Sequence, residues 1–130
     1  MEYKTIDQSV TFNASAHEIY EMLMDPQKHS EFTGAPAEIS REIGGEFSII
    51  DGGLSGKTLD LIADKKIVQA WRAADWPEGH YSTAIFLMEE SDGQTKLSFV
   101  QAGVPSDMFD SINDGWRTYY WEPIAKALEN

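Results

Sequence analysis

The last stretch of the chain, residues 105–128, constrains the fold more than any other part. Apolar and aromatic residues recur there at the spacing of one broad face of an amphipathic helix. The residues of that face are Phe109, Ile112, Trp116, Tyr119, Tyr120, Ile124, Ala127 and Leu128. A helix with so much aromatic surface must be covered, so the rest of the chain has to supply a large apolar partner.

The same stretch carries signals for where the helix begins and where it is irregular. Ser106 is a suitable N-cap, and Asp107 places negative charge in the first turn, where the helix dipole favours it. Gly115 costs about 1 kcal/mol relative to Ala inside a helix. Because Pro123 removes one backbone donor, we predict a bend near residues 119–121.

The remainder of the chain reads as strands and short helices. The S-x-x-E pattern of Ser15 and Glu18 predicts a helix that Pro26 ends, followed by a further helical turn at residues 27–32. Elsewhere apolar and polar residues alternate with the period of two that is typical of strands. Strands are predicted near residues 6–12, 37–39, 47–50, 58–62, 67–72, 81–88 and 95–101.

This order of elements predicts an α+β fold. We expect a curved antiparallel sheet of about six to seven strands wrapped around the long C-terminal helix, with one or two short helices after the first strand. That arrangement is the helix-grip architecture, and it explains why the last helix is aromatic. A length of 130 residues favours a single domain covering residues 1–130.

Composition excludes several functions. Ten Lys and Arg against 22 Asp and Glu give a net charge of −12, which opposes binding to nucleic acid or to anionic membranes and suits a basic protein partner. The absence of Cys excludes a disulfide framework, a thiolate metal site and a Cys nucleophile. No apolar run resembles a signal peptide or a membrane span, so we predict a cytoplasmic protein.

The sequence offers no catalytic constellation. His17, His29 and His80 are scattered without the spacing of metal ligands, and we expect each of them at the surface. No nucleophile has an evident neighbouring base. Residues 51–58 superficially match a phosphate-binding loop, but Asp51 stands where the first Gly is required and a strand pattern follows. We therefore predict a protein that is not an enzyme and that has no catalytic residues, no metal site and no cofactor.

One ordered set of residues is specific to a known family. It comprises Gly44-Gly45-Glu46-Phe47, Gly56, residues 67–72 (IVQAWR), residues 76–80 (WPEGH), residues 103–105 (GVP), Gly115-Trp116 and Tyr119-Tyr120. In this order the set resembles the C-terminal domain of the activator of heat-shock-protein-90 ATPase, and the standalone bacterial and archaeal proteins built from that domain. The resemblance covers residues 12–128. It implies the START-like, birch-pollen-allergen-like helix-grip fold, in agreement with the topology predicted above.

Two functions are implied by the resemblance. The first is a binding domain of co-chaperone type that contacts a heat-shock chaperone and has a role in the stress response. Because only the C-terminal domain of the activator is resembled, activation of the chaperone's ATPase is not implied. The second is a carrier or sensor of a small apolar ligand, since members of the wider superfamily bind lipids, hormones and other apolar molecules.

Side-chain direction indicates where such a ligand would bind. Alternating strand positions can point Trp71, Phe86 and Phe99 to one face of the sheet, opposite Trp116 and Tyr120 of the helix. These aromatic side chains either fill the space between helix and sheet or line an open cavity. The candidate ligand-binding residues are Tyr20, Phe32, Trp71, Phe86, Phe99, Trp116 and Tyr120, with Gln101 and the Tyr120 hydroxyl as polar contacts.

Overall fold

The computed structural model describes residues 2–129, and its main feature is an antiparallel sheet of seven strands. The strands are β1 (Tyr3–Phe12), β2 (Glu38–Ile39), β3 (Glu46–Ile49), β4 (Leu54–Ile62), β5 (Lys66–Ala73), β6 (Ser82–Ser91) and β7 (Gln94–Pro105). Their order across the sheet is β1-β7-β6-β5-β4-β3-β2. Strands β2 to β7 therefore meander, and the first strand pairs with the last.

The helices lie after the first strand and at the end of the chain. They are α1 (Ala16–Met24), α2 (Pro26–Thr33), a 3-10 turn (Ser106–Met108), α3 (Phe109–Trp116), a π-helical segment (Arg117–Trp121) and α4 (Glu122–Ala127). The last four segments follow one another directly, and together they are called the C-terminal helix below. The predicted helix-grip topology is confirmed.

Local sequence signals explain the two short helices. The Ser15 side chain accepts a hydrogen bond of 3.1 Å from the backbone N–H of Glu18, which caps α1. Asp25 ends α1 and caps α2, because its carboxylate accepts from the N–H of Gln27 at 2.9 Å. Pro26 occupies the first turn of α2, where its missing N–H costs nothing.

One face of the sheet forms the core with the C-terminal helix. Inward positions of three adjacent strands, β5, β6 and β7, are buried at alternate residues, as a period of two requires. These positions are Ile67, Gln69 and Trp71 on β5, Ala84, Phe86 and Met88 on β6, and Leu97, Phe99 and Gln101 on β7. The helix covers them with Trp116, Tyr120 and Ile124, all buried.

A line of buried polar groups fastens the helix to this aromatic core. The Trp116 indole Nε1–H donates to Gln101 Oε1 at 2.8 Å, and Gln101 Nε2 donates to Ser82 Oγ at 2.8 Å. The Ser82 hydroxyl in turn donates to the Trp71 carbonyl at 2.9 Å. Each donor in this chain of hydrogen bonds has an acceptor, so the cost of burying these polar groups is offset. The hydrogen bonds therefore orient the helix on the sheet.

The predicted N-cap of the C-terminal helix is wrong. The helix begins without a side-chain cap, and Ser106 Oγ is buried without a hydrogen-bond partner among the described residues. The backbone N–H of Ser106 instead donates to the carbonyl of Glu2 at 3.0 Å. Pro105, the last residue of β7, occupies the cap position, and its side chain has no acceptor for the N–H groups of the first turn.

The predicted irregularity near Pro123 is a π-helical segment. The backbone N–H of Glu122 bonds to the carbonyl of Arg117, five residues earlier, just before Pro123. A π turn accommodates one more residue than an α turn and rotates the following side chains. Tyr119, predicted to face the sheet, is therefore 59% exposed, while Trp121 is buried at 6% exposure. Ala127, also assigned to the inward face, is exposed.

None of the helices between residues 2 and 129 combines the length and the apolar character needed to cross a bilayer.

Candidate functional site

An apolar groove of about 320 Å³ lies between the C-terminal helix and the end of the sheet where β3 turns into β4. Its volume is at the lower end of the range that small-molecule sites occupy. The sheet contributes Ile50, Gly53, Leu54 and Trp71, and the helix contributes Ser111, Ile112, Gly115, Trp116, Tyr119 and Tyr120. Because Tyr119 and Ser111 are exposed, this side of the groove faces solvent.

A strained turn forms the sheet wall of the groove. Ile50 and Asp51 adopt φ values of 51° and 52°. Such positive values are uncommon for residues other than glycine, and especially so for a β-branched residue such as Ile50. Three backbone hydrogen bonds hold the turn in place: Gly53 N–H to Ile50 O at 3.0 Å, Asp51 N–H to Pro36 O at 3.2 Å and Ala74 N–H to Gly53 O at 2.9 Å. Such strain persists where the surroundings fix it, and it is concentrated at functional sites.

The π-helical segment and a glycine form the helix wall. A Cβ atom placed on Gly115 would lie 3.7 Å from Cδ2 of Tyr119, so the Tyr119 ring stands directly beside this glycine. The glycine leaves open the space that a side chain would fill, and the extra residue of the π turn directs Tyr119 outward. Single π turns within α-helices occur frequently at functional sites.

The space directly between the central strands and the helix is closed. Ring centroids lie 4.9 Å apart for Phe86 and Phe99, and 4.3 Å apart for Phe99 and Trp116. The void beside Phe86 and Tyr120 measures about 10 Å³, which is room for no more than about one water molecule. The aromatic side chains thus fill the centre, and the open volume is displaced toward the β3–β4 turn.

The seven candidate ligand-binding residues are consequently divided. Trp71, Trp116 and Tyr120 line the groove. Phe86 reaches only the small central void, Phe99 is fully buried, and neither contributes to the groove. Tyr20 is buried on α1, and Phe32 packs against Tyr120 with ring centroids 5.5 Å apart.

The polar contacts assigned to the cavity are already engaged inside the protein. Gln101 binds the Trp116 indole, and the Tyr120 hydroxyl lies 2.7 Å from Nε2 of His29. A different polar group of a groove residue is unpaired: the indole N–H of Trp71 is buried and has no acceptor among the described residues.

His29 is the residue of this region that the sequence analysis placed wrongly. It is 2% exposed and packs between α2 and the C-terminal helix, with its ring centroid 5.0 Å from that of Phe32. Burial lowers the pKa of His29 from 6.5 to about 4 and raises the pKa of the Tyr120 hydroxyl. His29 and Phe32 stand three residues apart on α2, and this spacing was the available signal that His29 faces inward.

The other two histidines lie outside the core. His17 is exposed, with Nδ1 3.0 Å from a carboxylate oxygen of Asp64. His80 is half-buried, with Nε2 2.7 Å from the carbonyl of Gly103 and its ring stacked on Tyr3. Within residues 2–129, no three His, Asp or Glu side chains are grouped so that they could hold a metal ion.

The site therefore has the chemistry of binding. Its walls are apolar, and the titratable pair behind it, His29 and Tyr120, is neutral near pH 7 because burial disfavours both charged forms. The curved antiparallel sheet around one long C-terminal helix defines a protein of the helix-grip class. Residues 13–129 match the family model described as Activator of Hsp90 ATPase homolog 1-like protein, and the chain belongs to this family.

Relatives with curated descriptions point the same way. The chain is 36% identical over 118 residues to the human protein named activator of 90 kDa heat shock protein ATPase homolog 1. That match includes 91% of this chain and 35% of the human protein. The chain is also 35% identical over 123 residues to an uncharacterized protein of Schizosaccharomyces pombe, covering 95% of this chain and 37% of the relative. It thus spans about a third of the length of these relatives.

Solved structures share the fold. An HSP90 activator from Plasmodium falciparum superimposes with a TM-score of 0.92 at 21% identity, covering 96% of both chains. The Aha1 dimer from Colwellia psychrerythraea gives a TM-score of 0.82 at 21% identity, covering 97% of this chain and 96% of the other. At this level of identity, the two structures support the fold alone.

Proposed function

We propose that this chain is a non-enzymatic binding domain that contacts a chaperone of the Hsp90 class in the cytoplasm. The observation that carries the proposal is the family match over residues 13–129, together with 36% identity to a human protein named for activating this chaperone's ATPase. These residues correspond to about a third of that relative, and the proposal for them is contact with the chaperone.

The apolar groove is the surface we assign to this contact. The groove is lined by Tyr119, which is 59% exposed, and by the aliphatic side chains of Ile112 and Leu54. An exposed aromatic ring thus lies next to an apolar surface that a partner could cover. Tyr is enriched among the residues that dominate binding energy at protein interfaces. The net charge of −12 disfavours nucleic acid as an alternative partner.

Tyr119→Ala should weaken binding of a purified Hsp90-type chaperone about tenfold, the size of effect that loss of one interface hot spot produces. Because Tyr119 is largely exposed, the thermal midpoint of the domain should change little. Isothermal titration calorimetry measures the first effect and circular dichroism the second. The matched control is Tyr81→Ala, a tyrosine of 49% exposure that does not line the groove.

The two variants separate the possible outcomes. If the native domain does not bind the chaperone, the proposed function is wrong. If Tyr119→Ala binds the chaperone as tightly as the native domain does, the domain binds through a surface other than the groove.

A second function, the binding of a small apolar ligand, is favoured by one specific observation. The groove has about 320 Å³ of mainly apolar space, and it is lined by Trp71, whose buried indole N–H has no acceptor among the described residues. We propose that a ligand would bind there, among Trp71, Trp116 and Tyr120, and not in the filled centre.

Gly115→Leu should abolish binding of an environment-sensitive apolar dye, because the new side chain occupies the groove. Gly115→Ala is the matched control: its Cβ fits at ordinary contact distance from Tyr119, and we expect it to keep the dye and gain up to about 1 kcal/mol of stability. Dye titration with Trp fluorescence measures binding, and native mass spectrometry detects a retained ligand. Absence of both signals in the native domain would contradict a carrier function.

A further inference from the structure

We infer that the chaperone segment that enters the groove is positively charged, with a large apolar side chain flanked by Lys or Arg. The inference rests on the proposed function and specifies the chemistry of the partner at the same surface. Two properties of the groove support it, its apolar interior and the charge of the residues around it.

The interior selects an apolar side chain. Ile50 and Leu54 form one wall, Ile112 and Tyr119 form the other, and Trp71 closes the base. The volume of about 320 Å³ is large enough to admit one large side chain, which would displace water from the groove. Water released from such apolar walls is the main driving force for an insertion of this kind.

Three acidic residues neighbour the groove along the chain. We call Asp51, Asp75 and Asp107 the acidic rim, and all three are exposed. Asp51 directly follows Ile50 in the strained turn, and Asp75 follows Ala74, whose N–H is bonded to Gly53 of the groove. Asp107 lies one helical turn before Ser111, which lines the opposite wall.

The rim carboxylates are free to attract a partner. Within residues 2–129, the ion pairs join other residues, namely His17–Asp64, Arg41–Glu21, Lys66–Asp60 and Arg117–Glu122. The neighbouring Arg72 guanidinium donates to the carbonyls of Ala73 and Trp76, and it forms no ion pair with the rim. None of the ion pairs among the described residues involves a rim carboxylate.

Local and overall charge act in the same direction. The net charge of −12 gives the whole domain a negative potential, and the acidic rim contributes three of these negative charges close to the apolar walls. Charges at the edge of an interface mainly accelerate association and exclude partners of like charge, while buried apolar contacts determine the dissociation rate. A basic segment would gain from both effects, whereas an acidic segment would be repelled before its side chain reached the groove.

Association kinetics with a purified Hsp90-type chaperone test this inference. Asp51→Asn combined with Asp75→Asn removes two rim charges at nearly constant shape, and we expect the association rate constant at low salt to fall about tenfold. The dissociation rate should change little, and the decrease of affinity with added salt should become shallower. Circular dichroism checks that the variant is folded.

Asp92→Asn is a closely matched control. Asp92 has a φ of 55°, close to the 52° of Asp51, and Asn tolerates this conformation. It lies in the turn between β6 and β7, just after the last residue of β6. The first residue of β6, Ser82, is the one that pairs with the groove residue Trp71. Removing one charge there should leave the association rate within about twofold of the native value.

Failure of the inference and failure of the proposed function give different results. If the native domain binds, and the double variant and native domain associate at the same rate, the inference is wrong while the proposed function stands. Faster association of the double variant would indicate an acidic segment and would also overturn the inference. If the native domain does not bind the chaperone at any salt concentration, the proposed function fails, and this inference fails with it.

Discussion

Trp116→Ala should lower the free energy of unfolding by about 3–5 kcal/mol, the range for removing a buried Trp or Phe ring from a core. Trp116 is 3% exposed, and its ring lies between Phe99, at 4.3 Å between centroids, and Tyr120, at 4.7 Å. The substitution also removes the donor to Gln101, whose amide oxygen would stay buried without a partner. Since domains of this size are stable by only about 5–15 kcal/mol, the variant should be close to unfolding.

Chemical denaturation measures this loss, and Trp116→Phe separates its two causes. The Phe variant keeps most of the ring contacts but removes the indole N–H, so we expect a smaller loss of about 1–3 kcal/mol. Tyr119→Ala serves as the exposed control on the next turn of the helix and should change stability little. A loss below about 1 kcal/mol for Trp116→Ala would contradict its place in the core.

Acidification from pH 6.5 to 4 should remove roughly 3 kcal/mol of stability through His29 alone. Burial lowers the pKa of His29 to about 4 in the folded protein, whereas an unfolded chain keeps the ordinary value of 6.5. Between these two values the unfolded chain binds a proton that the native protein does not bind, so stability falls as the pH falls. Each pKa unit corresponds to about 1.4 kcal/mol, and above pH 6.5 the contribution is constant.

The difference between native protein and His29→Gln isolates this effect. Carboxylates also titrate in acid, but they do so in both proteins. The additional loss of unfolding free energy that only the native protein shows on acidification is therefore due to His29. Urea denaturation at a series of pH values between 4 and 7.5 provides the comparison. Parallel curves for the two proteins would show that His29 is protonated without cost and is not buried as the structure has it.

The sequence predicted the architecture because the signals for it are local. The period of two at Ile67, Gln69 and Trp71 correctly assigned the inward face of β5, and Ser15 correctly marked the start of α1. The aromatic stripe of the last helix required a large apolar partner, and the sheet provides it. Each of these inferences depends only on residues within a few positions of one another, where spacing and capping rules apply.

Side-chain placement around the site depends on features that spacing rules do not contain. Pro123 indicated where the helix is irregular, but a bend and a π turn have different consequences, and only the π turn exposes Tyr119 and buries Trp121. The burial of His29 comes from the packing of α2 on a helix about 90 residues later, since its hydroxyl partner is Tyr120.

The groove itself could not have been located from the sequence. Its sheet wall depends on positive φ values at Ile50 and Asp51, in a turn where the sequence shows only Gly52 and Gly53 as flexible positions. The centre was closed by the way that Phe86, Phe99 and Trp116 fit together, which depends on the distance between helix and sheet. Composition alone left a filled and an open interior as alternatives.

The pairing of the first strand with the last determines when this domain can complete its sheet during synthesis. Tyr3 pairs with Pro105 and Phe12 with Thr95, so β1 has its neighbour only after β7 has been made. At roughly 5–20 residues per second, a ribosome needs roughly 5–20 seconds to extend the chain from Tyr3 to Pro105. During that time Ile6 and Phe12, both buried in the finished domain, remain in solvent, and the nascent chain carries an unpaired strand. Folding is therefore a late event that follows translation of β7, with non-local contacts that make it slow.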